Sequence, residues 1–215
     1  MSLNEKIVLS YHDCVLRQLD VDLLLGPNWI NDTLIGFYFE YLGKKLESSN
    51  NSEILYASPE LTQLLKLTPS SQLSSFLDPL DASEKKFIFF PLNNCEKRDS
   101  AGGSHWSLLV FSKVENTFFH FDSFGSSNES IARHFARNLD RYLLGKEVGQ
   151  FLEINCPQQD NCVDCGLFVM CISELLTEHV LNKSQIHGYN LDTVKRMVLG
   201  KRENLLELIK TLTPA

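Results

Sequence analysis

Basic residues are in short supply. Twenty lysines and arginines stand against 27 aspartates and glutamates in 215 residues, giving a net charge of −7 and a pI near 5.4. A protein that lives on nucleic-acid phosphates needs a basic stripe, and none is visible, so no nucleic-acid partner is expected. The short pairs Lys44-Lys45, Lys195-Arg196 and Lys201-Arg202 read as solvated faces. An acidic surface suits a basic protein partner. Long hydrophobic runs are missing too: no window reaches the roughly 20 apolar residues that span a bilayer. Met1 to Lys6 shows no basic stretch leading into an apolar core, so no secretory signal is expected. The expectation is a soluble monomer of the cytoplasm, the nucleus or both, with no membrane partner. Repeats and low-complexity tracts are absent. So are a second C-x-x-C and a His-x3-5-His pair, which counts against zinc, and neither metal nor cofactor is expected.

What is present suits one domain over residues 1–215. The chain is 43% apolar and 22% charged, enough to fill a core and too little polar tract for extended disorder. Its six cysteines, Cys14, Cys95, Cys156, Cys162, Cys165 and Cys171, are expected as thiols in a reducing compartment, several as buried small apolar groups.

The pattern of elements is mixed. Residues 7–11 read as a strand. Asn28 to Asp32 opens a helix that Asn31 or Asp32 can cap, with Leu34, Ile35, Phe37, Tyr38, Tyr41 and Leu42 at helical spacing. A strand is expected at 54–58, a helix from Pro59, and a short helix within 70–80. Residues 86–92 suit a buried strand, and 93–103, with Gly102-Gly103, suit a mobile loop that can act as a lid. The runs 106–111 and 117–122 form a hairpin around Glu115-Asn116. A helix over 131–144 ends at Gly145, a short strand covers 151–154, a loop 156–161, and a long apolar helix about 164–180. Residues 191–199 and 202–212 give a helical tail. Helices in blocks around a sheet with an antiparallel hairpin define an α+β fold.

Cys165 has the most informative setting. It lies in Asp164-Cys165-Gly166-Leu167-Phe168, where a polar loop meets an apolar helix. Helix N-termini favour anions, so a thiol there ionises more readily. Backbone donors beside it suit an oxyanion, and Gly166 permits close approach. Against this, most cysteines of a helix are simply buried, and Cys162 with Cys165 also spells C-x-x-C, a weak redox or metal signal. His105 follows the glycine-rich loop at the start of a strand and is the best candidate base; Trp106 beside it can exclude water. His120 on the same hairpin is its competitor. Asp122 ends the second strand, where a carboxylate can fix a histidine tautomer. With the turn at 114–117, His105 and Asp122 point to one face but are offset along the strands, so a bulge or an inward bend of His105 must close the gap. Gln158-Gln159 precede the cysteine; a glutamine amide can donate to an oxyanion, although a polar loop explains both as well.

Taken together, Trp29-Ile30-Asn31-Asp32, His105-Trp106-Ser107-Leu108, Phe121-Asp122-Ser123, and Pro157-Gln158-Gln159 leading to Asp164-Cys165-Gly166 resemble the sentrin-specific (Ulp-type) cysteine proteases over about residues 6–212. The resemblance implies a papain-like fold with a central mixed sheet, a His105, Asp122, Cys165 triad, and Gln159 as oxyanion donor. It implies cleavage after the C-terminal Gly-Gly of a ubiquitin-like modifier. Trp29 and Trp106 match tryptophans that roof a narrow diglycine tunnel, whose flat walls admit glycine and reject side chains, and Asp32 matches a position near the modifier's tail. Val8 to Tyr11, Phe37 to Tyr41 and Ala101 to Val110 look like the deneddylase branch of the family. That points to the Nedd-type modifier and its conjugates, such as neddylated cullins, with the SUMO modifier as the alternative. Cys162 stands where relatives often carry glycine or serine, which raises oxidative pairing with Cys165. Two other classes remain open: an acyltransferase, for which no basic phosphate pocket is seen, and an inactive module that only grips a modifier tail, which the intact triad disfavours.

Overall fold

The computed structural model describes residues 6–97, 102–145 and 148–213. A β-hairpin opens the fold: β1 (Ile7–Tyr11) pairs antiparallel with β2 (Cys14–Arg17). A short α1 (Gln18–Asp22) follows, then α2 (Asp32–Ser48), β3 (Ile54–Tyr56), α3 (Pro59–Lys66) and α4 (Ser74–Leu77). The strands β4 (Phe87–Asn93), β5 (Trp106–Ser112) and β6 (Thr117–Phe121) precede α5 (Glu129–Leu144), β7 (Gln150–Ile154), α6 (Cys165–Lys183) and α7 (Val194–Leu212).

The main sheet has five strands in the order β3-β4-β5-β6-β7. Its outer pairs, β3 with β4 and β6 with β7, are parallel, and the inner pairs are antiparallel. The sheet is therefore mixed and the fold α+β, as expected. Because side chains alternate along a strand, the central strands feed two cores. Phe87, Phe89, Leu108, Val110, Phe119 and Phe121 are buried with α2 and α6. Ile88, Phe90, Leu92, Leu109, Phe111 and Phe118 are buried with α5 and the 57–82 region. Coverage on both faces explains why these strands read as unbroken apolar runs rather than alternating ones.

The helix starts follow local chemistry. Asn31 caps α2, its side chain accepting from Leu34 N at 3.0 Å, while Asp32 lies in the first turn. Ser58 caps α3 in the same way, with Pro59 in the first turn. Helix α6 is long and apolar enough to cross a membrane by composition, but 67% of its most apolar stretch is buried inside the fold. It is the central helix of the larger core.

Several expectations need correction. Strand β2 and helix α1 were not foreseen, and α5 starts at Glu129 rather than Ile131. The tail is one helix, not two: Gly200 sits inside α7, where an added Cβ would meet only Asn204 Nδ2 at 3.9 Å, so glycine there marks no break. The basic pair Lys201-Arg202 is not a solvated face. Lys201 is buried, its Nζ 2.6 Å from Glu174 and 2.7 Å from the Tyr38 hydroxyl. The Arg202 side chain is only 17% exposed.

Candidate active site

Three elements deliver their residues to one end of the sheet. Cys165 is the first residue of α6, His105 immediately precedes β5, and Asp122 immediately follows β6. His105 Nε2 lies 2.6 Å from Asp122 Oδ1, and the imidazole is also hydrogen-bonded to Cys165. Since Nε2 is occupied by the carboxylate, Nδ1 is the nitrogen left for sulfur. Burial opposes the charged ring, but the bonds to Asp122 and Cys165 outweigh it and push the His105 pKa up to about 9. Burial likewise disfavours the Asp122 carboxylate, yet its partners hold its pKa below the usual range. Oδ1 also accepts from Phe124 N at 2.9 Å, and Oδ2 accepts from Asn128 N at 2.8 Å.

A buried polar network stands behind Asp122. Asn128 occupies the cap position of α5 but makes no side-chain cap. Its Nδ2 turns to the strands instead and donates to Ser107 Oγ at 3.0 Å. Ser107 Oγ is 2.9 Å from His120 Nε2, and His120 Nδ1 is 2.5 Å from Glu153 Oε2. This separates the two histidines that competed on sequence grounds: both ring nitrogens of fully buried His120 are engaged in the network, while His105 faces the thiol. Asn94 steadies His105 from the other side, its Oδ1 accepting from Ser104 N at 2.7 Å and His105 N at 3.2 Å. Lys66, which is buried, donates to the carbonyls of Asn93 and Cys95 at 2.6 and 2.5 Å and fixes the chain leading there.

The nucleophile candidate is only 3% exposed, but it is not sealed in the core. It lines a cleft of about 930 Å³ whose walls include Trp29, Asp32, Glu60 and Trp106. The tryptophans are clamped. Trp106 Nε1 donates to Ile30 O at 3.2 Å, and Trp29 Nε1 donates to Cys162 O at 2.8 Å. A Cβ on Gly166 would lie 2.9 Å from Ile30 Cβ. The close approach that Gly166 permits is thus that of the Ile30 side chain, from the residue whose carbonyl holds Trp106. Arg202 completes the clamp, donating to Leu23 O and Asn28 O at 2.8 Å and to Asp164 Oδ1 at 2.9 Å.

Gln159 lies beside the end of β6. Its backbone N–H donates to Ser123 O at 2.8 Å, its Oε1 accepts from Ser123 Oγ at 2.8 Å, and its Nε2 donates to Asn161 O at 2.5 Å. One amide hydrogen is left for another acceptor. Gln158 Nε2 donates to Asp122 O at 2.9 Å. Cys162 is exposed. Of the loop expected at 93–103, residues 98–101 lie outside the described residues, while Asn93, Cys95, Lys97, Gly102 and Gly103 line the cleft.

The structure thus brings His105, Asp122 and Cys165 into contact, gathers Trp29, Asp32 and Trp106 around the thiol, and places Gln159 at the neighbouring strand end. Sequence reasoning missed Asn94, Asn128 and Arg202. Asn128 alone carried a signal, as a capping residue type ahead of a helix.

An α+β fold that presents a helix-terminal thiol to an imidazole backed by a carboxylate defines a cysteine protease. Residues 28–199 match the Ulp1 protease family, C-terminal catalytic domain, and the chain belongs to that family. It is 40% identical to sentrin-specific protease 8 of Rattus norvegicus over 181 residues, covering 83% of each chain. It is 38% identical to sentrin-specific protease 8 of Homo sapiens, over 97% of this chain and 98% of that one. Among solved structures, the C-terminal Ulp1 protease domain in complex with Smt3, the yeast ortholog of SUMO, superposes with a TM-score of 0.73 at 20% identity, covering 96% of this chain and 88% of that chain. The fold expectation is borne out.

Proposed function

We propose that this cysteine protease hydrolyses the bond after the C-terminal Gly-Gly of a ubiquitin-like modifier of the Nedd type, acting on precursors and on lysine conjugates, neddylated cullins among them. The observation that carries this reading is the contact of His105 with both Asp122 and Cys165 at the floor of a cleft walled by Trp29 and Trp106. The likeness to proteins named sentrin-specific protease 8, and to one of Arabidopsis thaliana named NEDD8-specific protease 1 at 32% identity over 95% of this chain, supports the Nedd-type choice.

The diglycine tail lies along the cleft walled by the two indoles, whose flat faces suit glycine better than a residue with a side chain. Asp32 and Glu60 at the cleft wall suit basic groups on the tail. His105, carrying the proton, keeps Cys165 as a thiolate, and the thiolate attacks the glycine carbonyl carbon. The oxyanion is held by Gln159 and the Cys165 backbone N–H. The C–N bond breaks as His105 protonates the leaving amine, and water then hydrolyses the thioester. Asp122 keeps the ring oriented and stabilises its charge.

C-terminal propargyl probes of the Nedd-type modifier, SUMO and ubiquitin test the reading directly. The expected result is covalent capture at Cys165, fastest with the Nedd-type probe and lost in Cys165→Ala. Preferential capture of the SUMO probe would replace the modifier assignment. An intact thiol that captures none of the three would overturn the peptidase reading.

A further inference from the structure

Phe124 is 47% exposed, yet its backbone is held on every side. Its N–H donates to Asp122 Oδ1 at 2.9 Å, its carbonyl accepts from Ser127 N at 3.3 Å and from the Ser127 hydroxyl, and the next N–H, of Gly125, donates to Gln158 Oε1 at 2.6 Å. Gly125 takes a φ of +61° in this tight turn. An isolated exposed aromatic is ordinary; the position of this one is not. Its ring centroid lies 5.8 Å from that of the His105 imidazole, at an interplanar angle of 51°, and it is not among the residues lining the cleft of Trp29, Trp106 and Cys165.

The reaction proposed above fixes what must come to this side. Sulfur bonds to the glycine carbonyl carbon, the carbon–nitrogen bond breaks, and the electron pair left on nitrogen takes its proton from His105. The departing nitrogen must therefore come within hydrogen-bond reach of the imidazole. The modifier's tail fills the cleft on one side of the thiol, so the rest of the leaving group runs out over the other. In a conjugate that leaving group begins with the four methylenes of a lysine, an apolar stem that lies readily along an aromatic surface with its charged end elsewhere.

We infer that Phe124 is a platform for the leaving group, its ring packing against the aliphatic stem of the isopeptide-linked lysine beside His105. It is a specificity-determining residue that favours lysine conjugates over substrates with small leaving groups. This rests on the isopeptidase reading given under Proposed function.

The test compares two substrates of the full chain: the Nedd-type modifier joined by an isopeptide bond to a lysine-containing peptide, and the same modifier as a C-terminal methyl ester, whose leaving group is too short to reach the ring. Phe124→Ala is expected to lower the ratio of isopeptide to ester kcat/KM by about 4- to 15-fold, the loss of one to two methylenes' worth of packing. Phe124→Leu, which keeps an apolar surface and serves if the alanine variant folds poorly, is expected to restore most of the ratio. An unchanged ratio in Phe124→Ala, whether both rates hold or both fall together, overturns the platform. A wild-type chain that hydrolyses neither substrate and captures no propargyl probe overturns the isopeptidase reading itself, and the platform with it.

Discussion

Asp122 Oδ1 lies 2.6 Å from His105 Nε2 across a hairpin whose register does not pair the two residues. The β5–β6 ladder matches Leu108 with Phe121; continued outward, it sets Asp122 opposite Ser107, and His105 one same-face position beyond. The two side chains are diagonal neighbours, a separation that a histidine and an aspartate can bridge. His105 precedes the strand and is not held by the ladder, so it bends in, steadied by Asn94.

This contact makes Asp122→Asn the most informative single substitution. An amide in place of the carboxylate no longer favours the imidazolium or fixes the tautomer. The expected outcome is a fall in kcat/KM of about 10²- to 10⁴-fold on a Gly-Gly modifier substrate. Thermal melting should show the variant folded but less stable, because Phe124 N donates to Oδ1 and Asn128 N to Oδ2, and one of these N–H groups then faces the amide NH2.

The raised His105 pKa sets the alkaline behaviour. The folded ring keeps a proton up to about 9, while the unfolded ring loses it near 6.5. The stability this contributes is whole below 6.5 and is lost as pH rises through about 9. For Asp122 the sign reverses: its pKa is lowered from 3.8, so its contribution is present above that value and lost as pH falls through the lower folded one. Turnover should decline at high pH with an apparent pKa near 9, as the imidazolium that protonates the leaving amine is lost. In Asp122→Asn that limb should move to lower pH. NMR titration of the His105 ring in Cys165→Ala should give a value below that of wild type, since one of its two supporting partners is removed.

Arg202 joins α7 to Leu23, Asn28 and Asp164 through one guanidinium. Lysine keeps the charge but not the fork. Arg202→Lys should raise KM for a modifier substrate several-fold, because the segment carrying Trp29 is released, and lower the melting temperature by a few degrees, corresponding to roughly 1–3 kcal/mol for the broken bonds. The rate of Cys165 alkylation by iodoacetamide should change little. Equal losses in alkylation and turnover would place the effect at the thiol instead.

Gly166→Ala puts a methyl 2.9 Å from Ile30 Cβ. Neither neighbour can yield without shifting α6 or the Trp29 segment, so a destabilisation of about 1–3 kcal/mol is expected, with a loss of propargyl-probe capture larger than the change in melting temperature alone explains. Full capture rates in a folded variant would contradict the clamp.

The candidate reacting groups were legible in the chain because their local settings are unusual. Cys165 stands where a polar loop meets an apolar helix, and His105 and Asp122 flank a hairpin whose turn chemistry is plain. Trp106 was visible as the neighbour of His105, but Trp29 only through resemblance, since nothing local says that two tryptophans far apart in sequence share a cleft. Lys201 and Arg202 misled for the opposite reason: a basic pair on a helix is ordinarily solvated, and only the docking of α7 buries one and joins the other to two backbone carbonyls and the Asp164 carboxylate. Asn94 and Asn128 sit in polar loops among similar residues, and their roles come from partners 11 and 21 positions away.

The sequence by itself determined most of the elements, the α+β class and the candidate nucleophile, base and carboxylate, because hydrophobic period, caps and turns act over a few residues. The tertiary structure alone decided which histidine meets the thiol, how an offset pair closes to a hydrogen bond, and what holds the tryptophan walls in place. Those outcomes depend on sheet register and helix docking, where contacts between distant segments are set by packing of the whole core.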